Sequence, residues 1–273
     1  KTAYEIGVRL VGSEMCIRDR NSIAITGQEG RQNNFLNPGD NVSFTATFSE
    51  TVILDNASSS TKINTIVVGS ANREATYTSG SNSDRLVFRY TIKSLNFPGE
   101  NDSNGISVGS GNIVLPGSST IKDLAGNTAI LSHSGIGDNA SYMVDTTVPS
   151  VDNFTMSDTE LKIGDNATVT LAFSEQICPN TGSCAVTFTN DDISIATLDN
   201  LTASGSLSTM TSSDNDTWTG PFTPTNNIED ATNRLSLGTN YTDLAGNNGP
   251  ADQLSLIHLS EPTRRTPISY AVI

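Results

Sequence analysis

Two cysteines lie close together in the sequence and could form a disulfide bond. Cys178 and Cys184 flank a segment that contains Pro179 and Gly182, a composition typical of a turn. Such a turn can bring the two Cβ atoms within bonding distance. The alternative is a pair of free buried thiols, because two cysteines at this spacing without further ligands make a poor zinc site. We predict a hairpin disulfide, which indicates an oxidising compartment.

The sequence offers little for acid–base or nucleophilic catalysis. Its two histidines are His133, in a segment rich in Ser and Gly, and His258, near the C-terminus. A catalytic triad needs a base beside a nucleophile, and a structural zinc site needs a cluster of Cys or His ligands. The pattern contains neither, and its scattered acidic residues are typical of solvated strands and turns. We predict that His133 is a surface residue and that the chain is not an enzyme.

Three oxygen-bearing side chains are spaced as in the first part of a calcium-binding loop. Glu100, Asp102 and Asn104 occupy alternate positions directly before Gly105, and Ca²⁺ prefers carboxylate and carbonyl oxygens. The segment lacks the bidentate Glu that closes such a loop at position 12. Calcium binding here is a hypothesis that rests on those three residues alone.

The pentapeptide DLAGN occurs twice, beginning at Asp123 and at Asp243. It predicts a turn, because Asp123 can accept hydrogen bonds from its own backbone, Gly126 allows a positive φ, and Asn127 tolerates the same region. The alternative is that the two aspartates contribute to calcium sites.

Composition limits the partners of the chain. Its 273 residues include 29 acidic and 15 basic ones, a net charge of −14, which would repel nucleic acid and anionic membranes. No segment approaches the run of about 18 apolar residues that a membrane helix needs. We predict a soluble chain that neither binds nucleic acid nor inserts into a membrane in this segment.

The two ends differ in composition from the interior. Residues 10–19, LVGSEMCIRD, correspond to a translated sequencing adapter, and LSLIHLSEPT at 254–263 and ISYAV at 268–272 correspond closely to the opposite strand of the same DNA. We predict that residues 1–20 and 254–273 are adapter artefacts and not native. On this interpretation the natural gene continues beyond both ends.

The interior contains an internal repeat of about 120 residues. Residues 37–52, NPGDNVSFTATFSETV, match residues 162–177, KIGDNATVTLAFSEQI, and DLAGN recurs downstream of each. Alternating apolar residues within both copies predict strands at 42–48 and 167–173. Further strands are predicted at 22–26, 63–68, 74–78, 85–92, 111–115, 119–122, 141–144 and 153–156. About seven short strands per copy are typical of an immunoglobulin-like sandwich.

The GDN…FSE and DLAGN motifs, with VDTTVPSV at 144–151, resemble the Ig-like repeats of large bacterial surface proteins and adhesins. The resemblance covers residues 21–253. It implies an all-β chain of two tandem immunoglobulin-like β-sandwich domains, at 21–148 and 149–253. The second domain is expected to be truncated before its last strand, because few natural residues follow its DLAGN.

The resemblance implies a non-catalytic spacer and adhesion module, extracellular or on the bacterial cell surface. Its expected partners are neighbouring repeats of the same chain, with a surface protein or glycan ligand bound through other parts of the parent. The alternative is a pair of carbohydrate-binding accessory domains of a secreted hydrolase. Sugar platforms use exposed aromatic rings, whereas Trp218, the only tryptophan, lies in a core-like strand pattern, TWTGPF.

Repeats of this kind often carry calcium where they join. In a sandwich the turn before the last strand lies at the pole where the domain begins. Asp145, at the end of the first domain, should therefore approach Asp243 in the second. We predict that Ca²⁺ bridges these carboxylates and stiffens the joint, with Asp123 playing the equivalent part toward an upstream domain.

Overall fold

The computed structural model describes residues 22–56, 58, 60–94, 100–162, 164–197, 205–226, 230–254 and 257–260. Among these residues, unit 1 comprises 22–31 and 38–145, and unit 2 comprises 32–37 and 146–260. In the described residues the regular structure is β apart from one 3-10 helix, Asn190–Asp192. The described part contains no helix that is long and apolar enough to span a membrane.

Both units are built from β-strands, most of which are short. In chain order they are β1 (Ser22–Glu29), β2 (Phe35–Leu36), β3 (Asn41–Asp55), β4 (Lys62–Val68), β5 (Ala71–Ser79), β6 (Ser83–Thr91), β7 (Ser107–Val108), β8 (Gly111–Val114), β9 (Thr120–Asp123), β10 (Ser132–His133), β11 (Met143–Val144), β12 (Val151–Met156), β13 (Glu160–Lys162), β14 (Ala167–Phe173), β15 (Ile193–Thr197), β16 (Gly205–Leu207), β17 (Thr217–Pro224), β18 (Asp230–Leu237), β19 (Asp252–Gln253) and β20 (Ile257–Ser260). Every strand predicted from the sequence overlaps one of these.

Unit 1 is organised around the long strand β3. Hydrogen bonds link its strands in the order β1-β3-β6-β5-β4-β8-β10, with β7 on β4 and β9 on β3. The first part of β3 pairs with β1 and β6, and its last four residues pair with β9. The register shifts between Thr47 and Val52. A strand that bends at such an irregularity can contribute to both layers of a sandwich.

The apolar positions of β3 form the centre of the unit 1 core. Val42, Phe44, Ala46 and Phe48 are all buried, as their alternation predicts. The first three lie in register against strand β6, where Phe88 faces Phe44. Burial of large side chains from both strands supplies the main stabilisation of this unit.

Unit 2 consists of two sheets. One has the order β12-β14-β17-β16, and the other has the order β13-β20-β18-β15 with β19 on β18. These are the two layers of an immunoglobulin-type sandwich, so the predicted fold class is confirmed. Aromatic rings fill the space between the sheets: the Phe188 ring centre lies 4.9 Å from that of Trp218, and Phe173 lies 5.3 Å from Tyr241.

Strand β20 lies in the C-terminal segment that is predicted to be adapter-encoded. It pairs parallel with β13 and antiparallel with β18, and its Ile257 and Leu259 are buried. The segment therefore occupies the place of the last strand, which the sequence predicts to be missing from the natural part of this domain. The predicted artefact at residues 1–20, and the end of the second one at 261–273, lie outside the described residues.

Candidate functional site

The two repeated motifs meet in space in each unit. Val52, which follows FSE in unit 1, pairs with Asp123, the first residue of DLAGN. Ile177, which follows FSE in unit 2, forms the equivalent bridge with Asp243. The two motifs recur together because they build one substructure, in which the end of a core strand holds the DLAGN turn.

The DLAGN turn is closed by its aspartate, as the sequence predicts. In unit 1 the Asp123 carboxylate accepts hydrogen bonds from the backbone N–H and the side-chain amide of Asn127, both at 2.7 Å. In unit 2 Asp243 accepts the same two bonds from Asn247, at 2.9 and 2.7 Å. Gly126 has φ +93°, a region that favours glycine.

These hydrogen bonds keep the aspartate ionised. Desolvation raises the pKa of Asp123, but hydrogen bonds from the side chain and backbone of Asn127, and from the backbone of neighbouring turn residues, outweigh it. The pKa of Asp123 therefore lies below its usual value. The turn presents a fixed negative charge at neutral pH.

Asp243 lies beside a second carboxylate of unit 2. One carboxylate oxygen of Glu175 and one of Asp243 lie within 4.8 Å of each other. Glu175 ends the FSE motif, and Asp243 begins DLAGN. Like charges at this separation repel, and oxygen ligands of this kind fit a hard cation such as Ca²⁺.

The sequence predicts Asp243 as a calcium ligand but misses Glu175. The contact expected between Asp145 and Asp243 stays a prediction. The pairing of the two repeated motifs is the signal that could have found it, because Glu175 lies two residues before Ile177, which bridges to Asp243. Glu50 holds the corresponding position in unit 1 and is exposed.

Glu100, the first residue of the predicted calcium loop, is instead part of a buried network. Its side chain is fully buried and forms an ion pair with Arg73. It also accepts hydrogen bonds from the Tyr90 hydroxyl at 2.7 Å and from the Lys93 backbone at 3.1 Å. Its oxygens are thus directed at protein donors.

The other two residues of the predicted loop have partners of their own. Asp102 is buried and accepts hydrogen bonds from the backbone N–H groups of Gly69 and Gly105, both at 2.8 Å. Asn104 donates a hydrogen bond to the carboxylate of Asp138. Both carboxylates are thus engaged by protein donors, an arrangement that does not favour a calcium loop at this position.

His133 is buried, so the prediction of a surface histidine is wrong. It lies on β10, opposite Gly111 of β8, with 6% of its surface exposed. Its Nε2 lies 3.5 Å from the Thr65 hydroxyl, and its Nδ1 lies 3.3 Å from the Ser134 carbonyl oxygen. A Cβ atom at position 111 would lie 2.7 Å from the Thr65 side chain, so the glycine makes room for this packing.

Cys178 and Cys184 are joined by a disulfide bond in unit 2. The Cys178 backbone donates a hydrogen bond to the Thr242 carbonyl at 2.9 Å, and its own carbonyl accepts one from Phe188 at 2.8 Å. The disulfide loop is therefore anchored beside the residue that precedes DLAGN.

Trp218 is buried, as its strand pattern predicts. It is 5% exposed, packs against Phe188 and donates a hydrogen bond from Nε1 to the Asn215 carbonyl oxygen at 3.2 Å. The large apolar side chains that are exposed in the described residues are aliphatic. A carbohydrate platform built on Trp218 is not favoured.

Most of the second unit is similar to a known protein family. A family model described as a bacterial Ig-like domain matches residues 145–257. No curated protein matches the sequence. The fold has a likeness to FdeC, an Escherichia coli adhesin, at 10% identity and a TM-score of 0.38, over 90% of this chain and 65% of that one.

A second solved structure, domains 5–6 of the S-layer protein SbsC, matches at 10% identity and a TM-score of 0.23. It covers 89% of this chain and 100% of that one. At these TM-scores neither structure supports a conclusion about the function of the chain.

Proposed function

We propose that the chain is a non-catalytic spacer and adhesion module of a bacterial surface protein. The observation that carries the proposal is the substructure formed by FSE and DLAGN, which occurs in both units. The match of residues 145–257 to a bacterial Ig-like domain family supports it. The net charge of −14 also suits an exported module, since it favours solubility and discourages self-association.

Long-read sequencing of the native locus tests this proposal. It should show further copies of GDN…FSE…DLAGN and native sequence in place of residues 1–20 and 254–273. A catalytic domain next to the two units would instead favour accessory domains of a hydrolase. The same experiment tests the adapter origin of the two ends, because native sequence identical to them would refute it.

We propose further that the carboxylates of Asp145, Glu175 and Asp243 bind Ca²⁺. The proximity of the Glu175 and Asp243 carboxylates, within 4.8 Å of each other, supports this proposal, because oxygen ligands suit calcium. The DLAGN hydrogen bonds fix the Asp243 carboxylate in place. Since Asp145 ends the segment that leads into unit 2, a bound ion would restrict the chain at that point.

Calorimetric titration of the full chain with CaCl₂ tests the calcium proposal. The Glu175→Gln variant should bind at least about ten-fold more weakly, because one anionic ligand is lost. Glu50→Gln, at the corresponding position of unit 1, is the matched control and should bind as the parent does. Small-angle scattering should show a change in maximum dimension on adding millimolar calcium, and an unchanged curve with no heat of binding would contradict the proposal.

A further inference from the structure

A polar cavity of about 520 Å³ lies over strands β5 and β6 of unit 1. Three basic residues line it, Arg73, Arg89 and Lys93. Side chains that can donate or accept hydrogen bonds complete the lining, among them Asn72, Thr76 and Thr91. The chain has only 15 basic residues against 29 acidic ones, so three in one cavity form a local exception to its charge.

Strand geometry brings these groups together. Arg89 and Lys93 are exposed and alternate with the buried Tyr90 and Ile92, so they face away from the core. Thr76 of β5 lies directly opposite Arg89 in the register of the two strands. These exposed residues therefore lie on the outer face of the sheet, whereas Arg73 and Tyr90, which also line the cavity, are largely buried.

The charged side chains of the cavity differ in whether they have an ion-pair partner. Its acidic residue, Glu74, is held by Lys62 of β4 at 2.6 Å. Arg73 is paired with the buried Glu100, and Arg89 is paired with Glu29 of β1 at 3.2 Å. The Lys93 ammonium lies 5.8 Å from the centre of the Tyr90 ring. In the part of the chain that the structure describes, Lys93 has no carboxylate within ion-pair distance. The cavity thus retains a positive charge that suits an anionic ligand.

We propose that this cavity binds a carboxylate-bearing sugar unit of an acidic glycan. Its volume falls within the range of small-molecule sites, roughly 300–1,000 Å³. Guanidinium and ammonium groups are suitable donors for a carboxylate. The amide and hydroxyl groups around them can serve the sugar hydroxyls. The site goes beyond a spacer role and does not depend on the calcium proposal.

Calorimetric titration of the full chain tests this site. The probes are a glucuronate-containing tetrasaccharide and sialyllactose, with tetra-N-acetylchitotetraose as the neutral control. We expect both acidic probes to bind and the neutral one not to. Lys93→Gln should raise the Kd at least about five-fold, because an ionic contact is lost. Lys122→Gln removes the same charge from an exposed position on β9, outside the cavity, and should leave the Kd unchanged.

Four results would overturn the proposal. These are binding of neither acidic probe, equal binding of the neutral tetrasaccharide, equal weakening by Lys122→Gln, and tighter binding of a tetraglutamate peptide. The last result would assign the cavity to an acidic peptide. Hydrogen exchange across β5 and β6 should be the same in both variants and the parent, so that a lost signal reports binding and not unfolding.

Discussion

At the scale of single residues, a buried ion pair joins Arg73 and Glu100 in unit 1. The side chain of Glu100 is fully buried and that of Arg73 is 12% exposed, whereas Lys62 and Glu74 form a pair that is 28% and 56% exposed. Removing one partner of a buried pair leaves an uncompensated charge, whereas water screens the loss of an exposed one. The two pairs should therefore respond very differently to the same substitution.

Glu100→Gln should destabilise unit 1 by about 3–5 kcal/mol. Glu74→Gln, the matched control, should cost about 1 kcal/mol or less. Native-state hydrogen exchange in β5 and β6 measures the effect within unit 1, and Trp218 fluorescence reports unit 2 separately. Equal costs for the two variants would contradict the assignment of Glu100 to a buried network.

A second residue-scale prediction concerns pH. Hydrogen bonds from the Thr217 backbone and the Ser212 hydroxyl lower the pKa of Asp214 from 3.8 to about 2. Because the folded pKa is depressed, this carboxylate stabilises unit 2 above pH 3.8, and the contribution is lost as pH falls toward 2. Asp214→Asn should therefore reduce the loss of stability between pH 4 and 2, measured by urea unfolding with Trp218 fluorescence. An equal loss of stability in Asp214→Asn and the parent would contradict this assignment.

Residue roles were predictable where the local pattern determines them. The cysteine pair and Trp218 follow from a turn composition and a strand alternation. The burial of His133 could not be predicted from a local pattern, because it depends on Gly111 and Thr65, which lie far away in the sequence. Glu175 required knowing that the FSE strand end pairs with DLAGN, which is a tertiary contact.

At the scale of elements, the strands of the repeated motif were the most predictable, because one buried face imposes a strict alternation. The several two-residue strands were not predictable, since two residues show no period. Strand β20 forms an inner strand of its sheet although its segment is predicted to be non-native. Apolar residues of suitable spacing can fill such a place whatever their origin.

Deleting residues 254–273 should therefore destabilise unit 2. The buried Ile257 and Leu259 each contribute roughly 1.5–3 kcal/mol. Deleting residues 1–20 should leave the stability of unit 1 unchanged, because this segment is predicted to be adapter-encoded and hence not selected to pack. Thermal unfolding of both truncated forms and the full chain measures these effects. A loss of several degrees on N-terminal deletion would contradict the adapter origin of that end.

The disulfide loop is the second testable element. Exported protein should contain the Cys178–Cys184 bond, and its peptide mass should be two hydrogens lower than in the reduced form. Replacing both cysteines by serine should cost unit 2 about 2 kcal/mol, because the closed loop is short. Finding both thiols free to alkylate in exported protein would contradict the bond and weaken the extracellular assignment.

At the scale of the whole molecule, two Ig-like sandwiches share one repeated substructure, and their architecture was predictable from the repeat alone. Their ligands were not. The basic cavity of unit 1 draws its lining from β5, β6 and the residue Lys93 beyond it, and no motif in the sequence marks it. Sites of this kind arise from register between strands, which a single sequence does not specify.

The central claim is that these units are displayed on the surface of a bacterium. An antibody raised against the full chain, applied to intact cells of the bacterium that carries the gene, tests it most directly. We expect labelling without permeabilisation, and loss of the label after brief treatment of the intact cells with protease. Labelling that appears only after the envelope is permeabilised would contradict the account.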